Sequence, residues 1–250
     1  SKPPEHDQII ITGNAALSLG STSAGLDSYY GYPISPATTV LVWMEQNLVQ
    51  KDKFVFQVSS EIEAINNVVG AGFSGKKAMT ATAGPGLSLM GEGLGLAWMA
   101  EIPLVVVNVQ RGGPSTGLPT KTEQSDLLQA MFSRNGDAPN PIIAPYSPGD
   151  CYYAAYEACR MALKYMMPVF LLTDGYLANG SEPWLIPTLA DMPDIDHRQR
   201  TNPEGFKPYI HDPETLARDW AIPGTPEMEH RVGGLEKSEG DGNVCYDPMN

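Results

Sequence analysis

The sequence predicts a doubly wound α/β domain built on a mainly parallel sheet. Apolar, β-branched runs at residues 104–109 and 169–173 have the composition of strands buried on both faces. Helical patterns separate these and weaker strand-like runs. The strand-to-helix turns are rich in Gly, Pro and hydroxyl side chains, which is the alternation a parallel sheet requires.

Composition narrows the function. A chain of 250 residues can bury a substantial core, and 42% hydrophobic content with Gly 25 and Pro 22 fits a loop-rich enzyme. The formal charge of -13 and the lack of a basic block exclude a general nucleic-acid binder. There is no run of eighteen apolar residues and no basic segment leading an apolar one, so a soluble, cytoplasmic protein with no membrane partner is expected. Cys151, Cys159 and Cys245 form no CxxC pair, and His6, His197, His211 and His230 are scattered. Buried neutral thiols are therefore expected, with no metal site contributed by this chain.

Residues 1–8 read as a polar arm, 9–12 as a strand, Gly13-Asn14 as a turn and 15–26 as a helix. A strand at 29–32 stops at Pro33, because proline removes a ladder donor. In the phrase YPISP, residues 32–36, Ser35 either meets a ligand or bonds backbone in a proline-bounded turn; the local sequence favours the turn. A helix at 38–49 and a strand at 54–58 follow. In SSEIEAINNVVGAGFSG, residues 59–75, Ser60 and Glu63 have capping-box spacing and Glu61 lies in the first turn, where the helix dipole favours a carboxylate. Capping accounts for Glu63 and the helix dipole for Glu61.

Another strand at 78–81 leads into TAGPGLSLMGEGLG, residues 82–95, which lacks the ending of a phosphate-binding P-loop and the register of a dinucleotide fingerprint. It is either a packing turn or a surface of main-chain groups for a cofactor. After a helix at 94–100 and the strand at 104–109 comes QRGGPSTGLPTKTEQSD, residues 110–126. Loops leaving a strand's carboxyl end hold ligands in such sheets, so Arg111 and Lys121 suggest an anion or carboxylate receptor, with surface or interface ion pairing as the alternative. A short helix at 127–131, a strand at 142–144, a helix at 151–165 capped by Asp150 and the strand at 169–173 complete the pattern. Asp174 either stabilises the following turn or meets a ligand; the turn is the simpler role. The domain is expected to span residues 9–190, with 191–250 an extended linker or subunit-wrapping tail. GDGN at 240–243 reads either as an acidic turn or as a magnesium site, and the turn is favoured because no long βαβ unit follows it.

YPISPATT, SSEIEA, TATAGPGLSLMGEGLG and QRGGPSTGLPTKTEQSDLL occur in this order. Together they resemble the alpha subunits of 2-oxoacid:ferredoxin oxidoreductases, most nearly the 2-oxoglutarate branch, over residues 9–177, with HRVGGLE at 230–236 a weaker signature. The resemblance implies a pyrimidine-binding domain for thiamine diphosphate and oxidative decarboxylation of 2-oxoglutarate to succinyl-CoA and CO2, with coenzyme A as co-substrate and ferredoxin reduced. It implies a beta subunit that completes the active centre, with Mg2+ and a 4Fe-4S cluster in partner chains, and further gamma and delta subunits or domains in some members. Related substrates are pyruvate and branched-chain or aryl 2-oxoacids, and a noncatalytic assembly subunit is the reading from another class.

By the same resemblance Glu61 is the catalytic carboxylate that protonates the cofactor's aminopyrimidine ring. Ser35, Arg111, Thr120 and Lys121 bind substrate, Thr120 and Lys121 at the distal carboxylate. Pro33, Ile34, Thr82, Ala83, Gly84, Pro85 and Gly86 line the cofactor together with Glu61.

Overall fold

The computed structural model describes residues 8–197 and 199–249. Residues 1–7 of the expected arm lie outside them, and Gln8 already belongs to the first strand.

Six parallel strands form the central sheet. These are β2 (Ser28–Gly31), β3 (Phe54–Gln57), β4 (Ala78–Thr82), β5 (Leu104–Gln110), β6 (Ile142–Ile143) and β7 (Pro168–Asp174), in the order β3-β2-β4-β5-β7-β6. Every residue of β4, β5 and β7 is buried, which is why their sequences run apolar without alternation. One face carries α1 (Gly13–Ser23), α2 (Thr38–Asn47) and α7 (Asp150–Tyr165), around Leu17, Met44, Val107 and Tyr152. The opposite face carries α3 (Glu61–Phe73), α4 (Gly84–Leu89) and α5 (Gly91–Met99), around Ile65, Val68, Leu94 and Phe170. This is the doubly wound architecture the sequence predicts. Each fully buried large side chain stabilises it by about 1.5–3 kcal/mol.

Three local expectations need correction. The first strand, β1 (Gln8–Thr12), stands outside the parallel sheet and pairs antiparallel with β8 (Ser181–Leu185). Gly13-Asn14 is no turn: Thr12 caps α1 directly, its hydroxyl accepting from the Ala15 amide. Glycine is needed at the helix start because a Cβ there would overlap the Leu177 carbonyl. Asp150 is the first residue of α7 rather than its cap. Gly149 occupies that position, and Asp150 accepts from the Tyr146 amide at 3.1 Å. α7 ends as its sequence implies, with Met166 left-handed at φ 51° two residues before Pro168.

The last segment folds back onto its own domain. It contains a parallel pair, β9 (Gln199–Arg200) with β10 (Trp220–Ala221). Trp220 is buried and donates to the Gly72 carbonyl at the end of α3 at 3.1 Å. Buried Arg218 donates to the Ala100 and Glu101 carbonyls. Leu163, Met166, Ala217 and Trp220 form a small separate core. The GDGN stretch is a turn whose Asp241 accepts from the Ser238 hydroxyl and the Asn243 amide.

Candidate active site

The sheet order reverses between β2 and β4, and the crevice outside the carboxyl ends at such a point is the usual ligand position in this architecture. The loop at residues 32–37 leaves β2, and the turn at 83–86 leaves β4. Glu61 opens the helix that follows β3, and the receptor loop leaves β5. The sequence-predicted residues thus share one edge, in two groups.

In the first group, Ser60 caps α3 through its hydroxyl, which accepts from the Glu63 amide at 3.2 Å. Glu63 reaches back to the Ser59 hydroxyl and amide rather than to Ser60. Those bonds hold its carboxyl below the usual range, the hydroxyl contributing most. Glu61 is left to face inward. It is 7% exposed, and its carboxylate accepts no hydrogen bond among the described residues. Against it lie Thr82 and Gly86: a Cβ on Gly86 would stand 2.7 Å from Glu61 Cγ and overlap Thr82 Oγ1. Ala83 is the N-cap of α4, with Gly84 and Pro85 next, so the turn backs Glu61 with small residues. Pro33 and Ile34 lie on the β2 loop, where Ile34 packs against the core and its carbonyl accepts from Thr38 N.

In the second group, Ser35, Arg111, Thr120 and Lys121 line one pocket of about 250 Å³ together with Pro36, Thr38, Thr39, Pro119, Thr122, Gly175 and Asn179. Arg111 is 7% exposed. Its terminal nitrogens donate to the Ser35 carbonyl at 2.7 Å and the Thr116 carbonyl at 3.0 Å, fixing the guanidinium plane. Its Nε–H is buried without an acceptor, and an unmatched donor costs about 1–3 kcal/mol unless a ligand meets it. Lys121 is exposed and forms no ion pair among the described residues.

The receptor loop is braced from within. Gly112 N donates to the Lys121 carbonyl at 2.8 Å, and Gly113 N donates to Glu123 Oε2 at 3.1 Å. Gly117, at φ +43°, passes so close to Gly112 that no side chain fits. The loop's far end is pinned to the sheet. Asn108 donates to Asp126 at 2.9 Å, Asp126 N donates to Gln110 Oε1 at 2.9 Å, and Gln124 donates to Asp174 at 2.7 Å. Asp174 also caps the short helix α8 (Gly175–Asn179), so it stabilises the turn.

Sequence reasoning singled out neither Asn108, Gln124 and Asp126 nor Asn14 and Thr39. Asn108 had a legible signal, as a polar residue inside an otherwise apolar strand. A larger cavity of about 580 Å³ lies beneath the tail, but its Glu101 and His211 are bound to each other at 3.1 Å and its Lys237 donates to the Met99 carbonyl. Cys151 and Cys159 are buried, and burial pushes both thiols up to about 12. Among the described residues no group of three His, Cys, Asp or Glu is placed to hold a metal, and no helix is long and apolar enough to cross a membrane.

Comparison with known proteins gives this edge a context. The chain is 50% identical over 253 residues to the 2-oxoglutarate oxidoreductase subunit KorA of Mycobacterium tuberculosis, covering 99% of this chain and 38% of that protein. It is 40% identical over 205 residues to the 2-oxoglutarate synthase subunit KorA of Methanothermobacter marburgensis, covering 81% of this chain and 54% of the relative. A solved 2-oxoglutarate:ferredoxin oxidoreductase from Magnetococcus marinus, with 2-oxoglutarate, coenzyme A and succinyl-CoA bound, superposes with a TM-score of 0.93 at 40% identity. The superposition covers 100% of this chain and 43% of that one. The chain thus spans between 38% and 57% of the first relatives' length. The family model for pyruvate flavodoxin/ferredoxin oxidoreductase, thiamine diphosphate-binding, matches residues 20–244, and the chain belongs to that family, among the alpha subunits of 2-oxoacid:ferredoxin oxidoreductases.

Proposed function

We propose that this chain forms the pyrimidine-side half of the active centre of a cytoplasmic oxidoreductase that converts 2-oxoglutarate and coenzyme A to succinyl-CoA and CO2 while reducing ferredoxin. The observation that carries the reading is the pocket lined by Arg111 and Lys121: a buried guanidinium with an unmet donor beside an unpaired ammonium, a receptor for a dicarboxylate. The relatives named for 2-oxoglutarate support the substrate.

The Glu61 group fits thiamine diphosphate. A buried carboxylate with no hydrogen bond inside the chain can share a proton with a ring nitrogen brought by a ligand, and the absent Cβ of Gly86 leaves room beside it. When bound, the cofactor would supply a nucleophilic carbon for addition to the 2-oxo group. Glu61 would hold the proton at the pyrimidine ring nitrogen, and Thr82 to Gly86 with the loop of Pro33 and Ile34 would line the ring. Arg111 and Ser35 orient the substrate carboxylate next to the 2-oxo carbon, and Thr120 with Lys121 selects for the distal one. A beta subunit supplies the diphosphate site with its Mg2+ and the 4Fe-4S cluster. Gamma and delta subunits or further domains join in some assemblies.

The test uses the assembled holoenzyme. Glu61→Gln should abolish H/D exchange at the cofactor's C2 carbon. Lys121→Met should depress kcat/KM for 2-oxoglutarate by about tenfold or more while sparing pyruvate and 2-oxoisovalerate. Unchanged exchange removes Glu61 from the chemistry. A loss uniform across the three substrates removes Lys121 from distal recognition.

A further inference from the structure

One wall of the receptor pocket has a hydrogen-bond polarity that the proposed function does not use. Asn14, in the first turn of α1, is 1% exposed. Its Nδ2 donates to the Pro36 carbonyl at 3.0 Å and to Thr39 Oγ1 at 2.7 Å. A carbonyl can only accept, so the first bond fixes which end of the amide faces the β2 loop. The second bond then has one sense: Thr39 accepts, and its own hydroxyl proton is directed elsewhere. Thr39 lines the pocket with Arg111 and Lys121, and that proton meets no acceptor among the described residues. The first turn of α2, which carries Thr39, contains no acidic residue to offset the positive helix end. The nine-tenths buried Arg111 lines the same pocket, its guanidinium held by the Ser35 and Thr116 carbonyls.

We infer that the Thr39 hydroxyl donates to a carboxylate of the bound 2-oxoacid, and that Asn14 is a positioning residue that holds Thr39 in this donor sense. Two residues 25 apart thereby act as one unit, with the buried amide dictating the polarity of an exposed hydroxyl. The inference rests on the reading of this pocket as the 2-oxoacid site and adds a neutral donor to its two cations.

The experiment compares variants in the complete holoenzyme. Thr39→Val keeps the shape and removes the donor. It should raise KM for 2-oxoglutarate by roughly tenfold to a hundredfold with kcat within about twofold, the scale of one hydrogen bond to a charged group. Thr39→Ser should restore KM. Asn14→Ala should raise KM when Thr39 is present and add nothing in the Thr39→Val background, a coupling that general loosening of the loop would not produce. Calorimetric binding of glutarate, a dicarboxylate without the 2-oxo group, should weaken in the same order and provides a readout independent of turnover.

Wild-type KM and glutarate affinity in Thr39→Val overturn the inference. If Lys121→Met then still loses 2-oxoglutarate selectively, the pocket reading stands and only the Thr39 role falls; if Lys121→Met is also neutral, both fall together. Should Asn14→Ala fail to assemble, the Thr39→Val and Thr39→Ser pair decides the matter alone.

Discussion

Gly86 offers the sharpest test of how the wall beside Glu61 is built. A Cβ added there would sit 2.7 Å from Glu61 Cγ and 2.9 Å from Glu61 Oε1, and would overlap Thr82 Oγ1. Carbon atoms rest at about 3.5–4.0 Å, so Gly86→Ala must drive Glu61 away by about 1 Å. Glu61 is 7% exposed and Thr82 1%, so neither can swing freely into solvent. Overpacking of this kind costs about 1–3 kcal/mol, or roughly 2–12 °C in Tm for a domain of this size. A displacement of about 1 Å at a reacting group also costs on the order of a hundredfold in rate.

Gly70 is the matched control: it lies in α3 itself, and a Cβ there meets nothing within 4 Å. Gly70→Ala should therefore raise stability by about 0.5–1 kcal/mol through helix propensity alone. The assays are thermal unfolding of the chain and C2 exchange in the holoenzyme. If Gly86→Ala melts no lower than the wild type and exchanges at the wild-type rate, the Glu61 wall is not packed as described and the argument fails.

The other predictions address the docking of the tail, the thiols and the cap. Trp220→Ala should cost about 3–5 kcal/mol of tail docking, so that limited proteolysis cuts residues 199–249 before the α/β core; simultaneous digestion would refute that docking. With their thiols pushed up to about 12, Cys151 and Cys159 should resist an alkylating reagent at pH 8 in the native protein and react once it unfolds, as counted by mass spectrometry. Rapid native labelling of either would contradict their burial. The folded-state carboxyl of Glu63 is depressed first by the Ser59 hydroxyl, so its stabilisation is present above the ordinary value of about 4.3 and is lost as pH falls through the folded value. Ser59→Ala should shrink that acid-side loss in denaturation curves taken below about pH 4.5, and an unchanged pH slope would exclude the capping interaction.

What the sequence disclosed follows from the range over which each signal acts. β5 and β7 were legible because burial on both faces leaves a continuous apolar run. α3 was legible because its cap and its apolar face lie within thirteen residues. The pairing of β1 with β8 joins segments some 170 residues apart through backbone bonds, which leave no local mark. Gly13 reads as a turn residue until the Leu177 carbonyl is brought beside it. The tail hangs on Trp220 and Arg218, isolated side chains without periodicity whose partners are main-chain carbonyls of distant helices. At the candidate site, residue types pointed to Arg111 and Lys121, which line one pocket, whereas the buried orientation of Glu61 and the Asn14–Thr39 bond belong to tertiary packing.

The two cations of the pocket consequently divide their labour. Arg111 joins the loops that leave β2 and β5 through the Ser35 and Thr116 carbonyls before any ligand arrives. Its guanidinium is pre-organised, so under the proposed function little entropy remains to be lost on binding a carboxylate. Under the proposed function, removing Arg111 should loosen the loop and weaken every 2-oxoacid alike. Lys121 carries no such duty: only its backbone braces the loop, and its side chain remains exposed. Discrimination among 2-oxoacids can change at position 121 without disturbing the frame, so selectivity in this pocket is expected to follow Lys121 and general affinity to follow Arg111.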